Sequence, residues 1–193
     1  MTDYLKIIED ILDIEVDMLQ RIRSANSAPC QDAPKTFRNI RESIYKTWTK
    51  EMLLSYKQDL LTAQKNDKNL VLEKYARMDN LIPPLKENPL IEKIVEIENY
   101  WQVELQEKYP IIYKKICRNN NNICNGSNFV IYLKSELETY SNNTLLAYYK
   151  HVKNSFKNSE NLALKSLENL ILTNGYNNLD HAEICLKNFS VSR

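Results

Sequence analysis

Apolar residues recur along this chain every three or four positions, the period of one face of an α-helix. Leu5, Ile8, Leu12, Val16, Leu19 and Ile22 mark the first stripe, over about residues 3 to 23. The polar stretch SANSAPCQDA breaks it, and Pro34, after Asp32 or Ala33, suits the first position of a second helix. Phe37, Ile40 and Ile44 carry that helix to about Lys46. The face drifts near Thr47–Thr49, which predicts a kink or a new start before Leu53, Tyr56 and Leu60. Asn66 to Lys68 reads as a turn, and NLVLEKYARM as a short helix closed by DNLIPPL.

Asn88 followed by Pro89 opens a long stripe of Leu90, Ile94, Ile97, Trp101 and Leu105. Pro110 starts a short segment through Cys117, and Arg118 to Ser127 reads as a flexible loop. Ser127 is the expected cap of a helix bearing Phe129, Leu133, Leu137 and Tyr140; Ser141 is the expected cap of the next, with Leu145, Tyr148 and Val152. SENLALKSLENLILTNG is a further amphipathic helix ended by Gly175, and a last short one covers about Asp180 to Asn188. The pattern predicts an all-α protein: one domain over residues 1–193, an orthogonal or irregular bundle of about eight to ten helices.

Composition sharpens this picture. The chain has only two glycines, Gly126 and Gly175. Walker loops and dinucleotide fingerprints need more than that, whereas a helical bundle punctuated by Pro, Ser and Asn needs few. Lys plus Arg is 26 against 25 for Asp plus Glu, a balance without the global field that holds nucleic acid or an anionic membrane. No apolar run approaches the ~18 residues of a membrane span. The acidic, amphipathic start differs from the basic-then-apolar layout of a signal peptide. The expectation is therefore a cytoplasmic protein with reduced thiols at Cys30, Cys117, Cys124 and Cys185, and with no nucleic-acid or membrane partner.

Histidine is scarce as well. Neither His151 nor His181 has a glutamate three residues before it or a second histidine four away, so di-iron and zincin patterns are missing. The spacing of Cys117 and Cys124 fits no common zinc or iron–sulfur pattern. No metal and no cofactor is expected.

Cys30 stands just ahead of a predicted helix N-terminus, where the positive end of the dipole favours a thiolate. Arg38 and Arg41 lie one and two turns into that helix. Asp32 opposes the thiolate, and the plain alternative is that Asp32 caps the helix while Cys30 fills a small gap. In EKYARM, Glu73 and Arg77 are four apart and suited to a helical ion pair. Trp48, Tyr56 and Trp101 are either core or the lining of a pocket.

Cys30 to Asp32 (CQD), Pro34, Thr36–Phe37, Arg41 and Trp48, with LLSYKQDL and EKYARM behind them and ELETYS and GYNNLDHAE later, resemble an uncharacterised bacterial family, domain of unknown function 4125. The likeness spans nearly the whole chain. The family tends to have Pro where Thr49 stands and a second acid where Ala33 stands. The resemblance singles out Cys30, Gln31, Asp32, Arg41, Glu73, Lys74, Tyr75 and Arg77, polar residues of the kind that serve a site. The leading expectation is a small-molecule pocket between the CQD turn and the EKYAR helix. There Gln31, Arg41, Trp48, Lys74 and Arg77 would hold an anionic small molecule, Asp32, Glu73 or Tyr75 would move a proton, and Cys30 would be the nucleophile. Whether any reaction follows is open. The alternative is a non-enzymatic helical adaptor that docks a partner protein.

Overall fold

The computed structural model describes residues 3–22, 34–117 and 128–191, with side chains through Asn188. Among these residues the chain is all-α: α1 (Asp3–Gln20), α2 (Pro34–Tyr45), α3 (Lys50–Lys65), α4 (Leu70–Met78), α5 (Pro89–Lys108), α6 (Pro110–Ile116), α7 (Phe129–Leu137), α8 (Asn142–Lys157), α9 (Leu162–Thr173) and α10 (Leu179–Val191).

The drift near Trp48 is a new start. Thr49 adopts extended backbone, and its hydroxyl accepts from the Met52 N–H at 3.2 Å. Asn69, Asn88, Ser141 and Asn161 cap α4, α5, α8 and α9 through their side-chain oxygens. Each such cap is worth about 1 kcal/mol. One cap differs from expectation. Asn128, not Ser127, precedes α7, its side chain accepting from the Ile131 N–H at 2.9 Å; Ser127 lies outside the described residues, as does the predicted loop from Arg118.

The C-terminal ends explain how the fold manages with so little glycine. After α3, α4, α8 and α9 one residue turns left-handed: Asp67, Asn80, Ser159 and Gly175, with φ of 54°, 57°, 56° and 87°. The residue after each donates back to a carbonyl in the last turn, as Lys68 does to Ala63 at 2.8 Å and Leu81 to Ala76 at 2.8 Å. Asn and Asp tolerate this conformation better than most non-glycine residues, so only one of the four ends uses Gly.

The helices group around two hubs. α1 packs against α2, α3 and α4, while α5 packs against α6, α7, α8 and α9. Three seams, α2 on α9, α3 on α8 and α4 on α7, join the groups. Ile8, Ile11, Leu12, Leu19, Leu53, Leu60 and Ile94 are fully buried in the larger core, with Tyr45, Trp48, Tyr56, Trp101, Tyr140 and Tyr148 beside them. Each buried aliphatic side chain contributes about 1.5–3 kcal/mol. A smaller cluster of Leu105, Tyr109, Ile112, Tyr113, Leu167, Ile171 and Ala182 seats α6 and α10. Ala163 on α9 packs against both clusters. No helix among the described residues is long and apolar enough to cross a membrane.

Candidate functional site

Each hub helix carries a carboxylate in its apolar face. On α1, Glu15 follows Ile11 and Leu12 on the buried side; on α5, Glu98 follows Ile94 and Val95 there. A buried carboxylate needs compensation or it gives up its charge. The two helices solve this differently.

Around Glu15 the answer is a cation. Arg41, buried on α2, donates from Nε to Glu15 Oε2 at 3.1 Å and from Nη2 to Glu15 Oε1 at 2.8 Å. Its Nη1 meets Glu136 Oε1 from α7 at 2.5 Å, and Nη2 also reaches the Tyr45 hydroxyl. Tyr56 donates to Glu15 Oε1 at 2.8 Å, and Tyr140 to Glu136 Oε1 at 2.7 Å. Lys74 on α4 completes the cluster, 3.7 Å from Glu136 Oε2 and 3.3 Å from the Tyr132 hydroxyl. Burial alone would raise the Glu136 carboxyl, but Arg41 and Lys74 hold it down at about 2. Burial opposes the charge on Arg41 too, yet Glu136 and Glu15 keep its guanidinium well above the usual value. Two cations thus face two carboxylates, and the cluster is balanced.

This bears directly on the expected anion clamp. Arg41 and Lys74 do converge, but on Glu136; Arg77 points its Nε at Glu138 Oε2, 2.9 Å away on the chain just beyond α7. Glu138 also accepts from the Leu85 N–H at 3.1 Å. The expected Glu73–Arg77 pair is therefore replaced by a tertiary one. All three cations counted toward an anionic ligand have carboxylate partners within the protein, so the cluster has no surplus positive charge to offer. Arg38 is likewise engaged, with Glu9 and, at 2.8 Å, Asp13 on α1. Tyr75 lies beside Lys74, whose Nζ is 5.1 Å from the Tyr75 ring centroid. Cys30, Gln31, Asp32 and Cys124 lie outside the described residues.

Around Glu98 there is no cation among the described residues. Tyr148 donates to Oε1 at 3.0 Å, and Oε2 has no partner among the described residues. Burial pushes the Glu98 carboxyl up to about 7, against the pull of the Tyr148 hydrogen bond. Burial also keeps the Tyr148 phenol protonated. A carboxyl in that range both gives and accepts a proton at neutral pH. One turn on, the Gln102 amide has no hydrogen-bond partner among the described residues.

Both residues border a cavity of about 240 Å³ between α2, α5, α7 and α9. Arg41 and Glu136 form part of its wall, with Trp48, Phe129, Tyr132, Tyr140 and Tyr148. The remainder is chiefly aliphatic, including Ile40, Ile44, Leu105, Leu133, Leu167 and Leu170. The Trp48 ring is held edge-on by Tyr45 at 5.0 Å and by Tyr56 at 5.7 Å. Of the sequence-predicted residues, Arg41 and Trp48 line the cavity; Tyr56 and Trp101 are core. His151 stands apart, half-buried, its Nε2 donating to the Thr47 carbonyl at 2.8 Å.

Cys117 lies at the cavity edge, and burial pushes its thiol up to about 12. At pH 8 iodoacetamide is expected to label it on the order of a thousandfold more slowly than a free cysteine peptide. Peptide mass spectrometry reads this directly, and labelling at the free rate would mean that the thiol meets water.

Glu15, Glu98, Gln102 and Glu136 were not singled out as site residues from the sequence, although Glu136 lies in ELETYS. The available cue was position: a carboxylate on the apolar stripe, where a solvated one has no reason to stand.

Fold and site together define an all-α protein with a balanced ion cluster at one wall of a cavity and an uncompensated carboxyl at another. The family model described as protein of unknown function, DUF4125, matches residues 5–184, and the chain belongs to that family. No curated protein and no solved structure matches it.

Proposed function

We propose that this protein binds a small, largely apolar molecule whose polar group is uncharged or cationic, in the cavity between α2, α5, α7 and α9. The observation that carries the reading is the pair Glu98 and Gln102. They are only 8% and 9% exposed, they border the cavity, and hydrogen-bonding capacity of both is unused by the described residues. Buried polar groups are normally satisfied, and mostly apolar concavities with a few unspent polar groups are the usual form of small-ligand sites. The balanced Arg41–Glu136 wall favours an uncharged group over the anion suggested by counting cations alone. The cavity is somewhat smaller than the ~300–1,000 Å³ typical for drug-sized ligands, which suits a small metabolite.

The test is a thermal-shift screen of a metabolite library on the wild-type protein and on Ala163→Phe, which places a ring in the cavity wall. A ligand at about 100 times its Kd adds about 2.7 kcal/mol. For a chain of this size that raises Tm by roughly 5–10 °C. The rise is expected in the wild type and absent in the folded variant. A library without hits, or hits that Ala163→Phe leaves unchanged, would overturn the reading.

A further inference from the structure

We propose that the occupant of this cavity is a flat, uncharged nitrogen heterocycle, one that presents an N–H donor beside a ring or carbonyl acceptor to Glu98 and Gln102. The inference rests on the pocket reading above and names its ligand class.

Three observations converge. First, Glu98 and Gln102 are four residues apart on α5, hence neighbours on one helix face. Glu98 already accepts from Tyr148 on Oε1, so its other oxygen is the open one. The Gln102 amide supplies both a donor and an acceptor. An edge with adjacent donor and acceptor atoms satisfies both side chains at once, whereas a lone hydroxyl or a hydrocarbon leaves at least one unmet. Second, the cavity wall holds five aromatic rings, those of Trp48, Phe129, Tyr132, Tyr140 and Tyr148. Ring faces and edges pack best against another flat π-system. Third, the charges of Arg41 and Glu136 cancel within their own cluster. That leaves, among the described residues of the wall, no cation to hold a phosphate or carboxylate on the ligand.

Isothermal titration of the wild-type protein at pH 7 tests this with a panel: adenine, cytosine and 2-aminopyrimidine as uncharged heterocycles, indole as a flat ring without the acceptor edge, cyclohexylamine as a cation that is not flat, and adenosine 5′-monophosphate as a heterocycle bearing phosphate. Binding by at least one heterocycle, tighter than indole and cyclohexylamine, is the expected result. Gln102→Leu, checked for fold by circular dichroism, should weaken that binding by about tenfold or more. The wild-type panel decides the matter even if the variant fails to fold. Indole or cyclohexylamine binding while no heterocycle does would overturn the ligand class and leave the pocket standing. Nucleotide binding tighter than adenine would overturn the charge argument and with it the class. If no probe binds, the ligand class falls, and the library screen separately decides whether the pocket falls too.

Discussion

Arg41→Met is expected to cost the protein at least about 4 kcal/mol, because it strands two buried carboxylates around one missing cation. Removing one partner of a buried ion pair typically costs about 3–5 kcal/mol, most of it the uncompensated charge left behind. Here Glu15 loses a two-pronged guanidinium contact and Glu136 loses its nearest positive group. Lys74, 3.7 Å from Glu136, softens the second loss but not the first. Against a typical total of about 5–15 kcal/mol, the variant sits near the edge of unfolding. Urea denaturation measures the loss. The pH dependence gives a second readout. In the wild type Glu136 titrates at about 2 instead of 4.5, so its contribution is full above 4.5 and disappears as the pH falls toward 2. With Arg41 gone the cluster is one positive charge short, and mild acid, which supplies the missing proton, should stabilise the variant. Combining Arg41→Met with Glu15→Gln should recover most of the loss, since Lys74 then keeps Glu136 as its counter-charge and the neutral amide at position 15 needs none. An Arg41→Met protein within about 1 kcal/mol of wild type would mean that the cluster is not assembled as described.

Glu98→Gln should do the opposite above neutrality. Glu98 titrates at about 7 in the folded chain against 4.5 for a free carboxyl, so the folded state holds the proton more tightly. Its contribution is full below pH 4.5, declines as the pH rises to about 7, and beyond that remains a fixed penalty. Integrated, the penalty is on the order of 3 kcal/mol at pH 8. Glutamine imitates the protonated carboxyl and keeps an oxygen for the Tyr148 hydroxyl. The variant is therefore expected to match wild type at pH 4.5 and exceed it by roughly 2–3 kcal/mol at pH 8. Urea melts at the two pH values separate these cases. If the slope of stability between pH 5 and 8 is the same in both proteins, some other group carries it. A natural sequence that tolerates such a penalty at its core is consistent with a carboxyl retained for binding.

The helices were legible because their signals are local. Apolar spacing, Pro after Asn or Asp, and Ser or Asn at starts act within one or two turns, and they placed elements such as α5 and α8 closely. The α7 cap went to Asn128 because two adjacent residues can both cap, and only the backbone chooses. The site was less legible for the same reason. Glu73 and Arg77 read as a pair because local spacing recognises only near neighbours, yet Arg77 found Glu138, 61 residues away. Counting Arg41, Lys74 and Arg77 as an anion clamp registered the cations and overlooked the carboxylates that folding brings to them. Glu15 and Glu98 gave themselves away only by standing in line with Leu12 and Ile94, a cue that marks burial without naming the partner.

The ion cluster also makes the two groups of helices electrically dependent on each other. Glu15, Arg41 and Lys74 belong to the first four helices, but Glu136 is on α7 in the second group. Without Glu136, Lys74 on α4 would be a buried ammonium with no carboxylate beside it, which is unfavourable. Taken alone, the first four helices therefore bring two cations and one carboxylate to their polar centre, and the balancing anion comes only with α7. The polar centre thus ties the two groups of helices together: neither is electrically complete without the other.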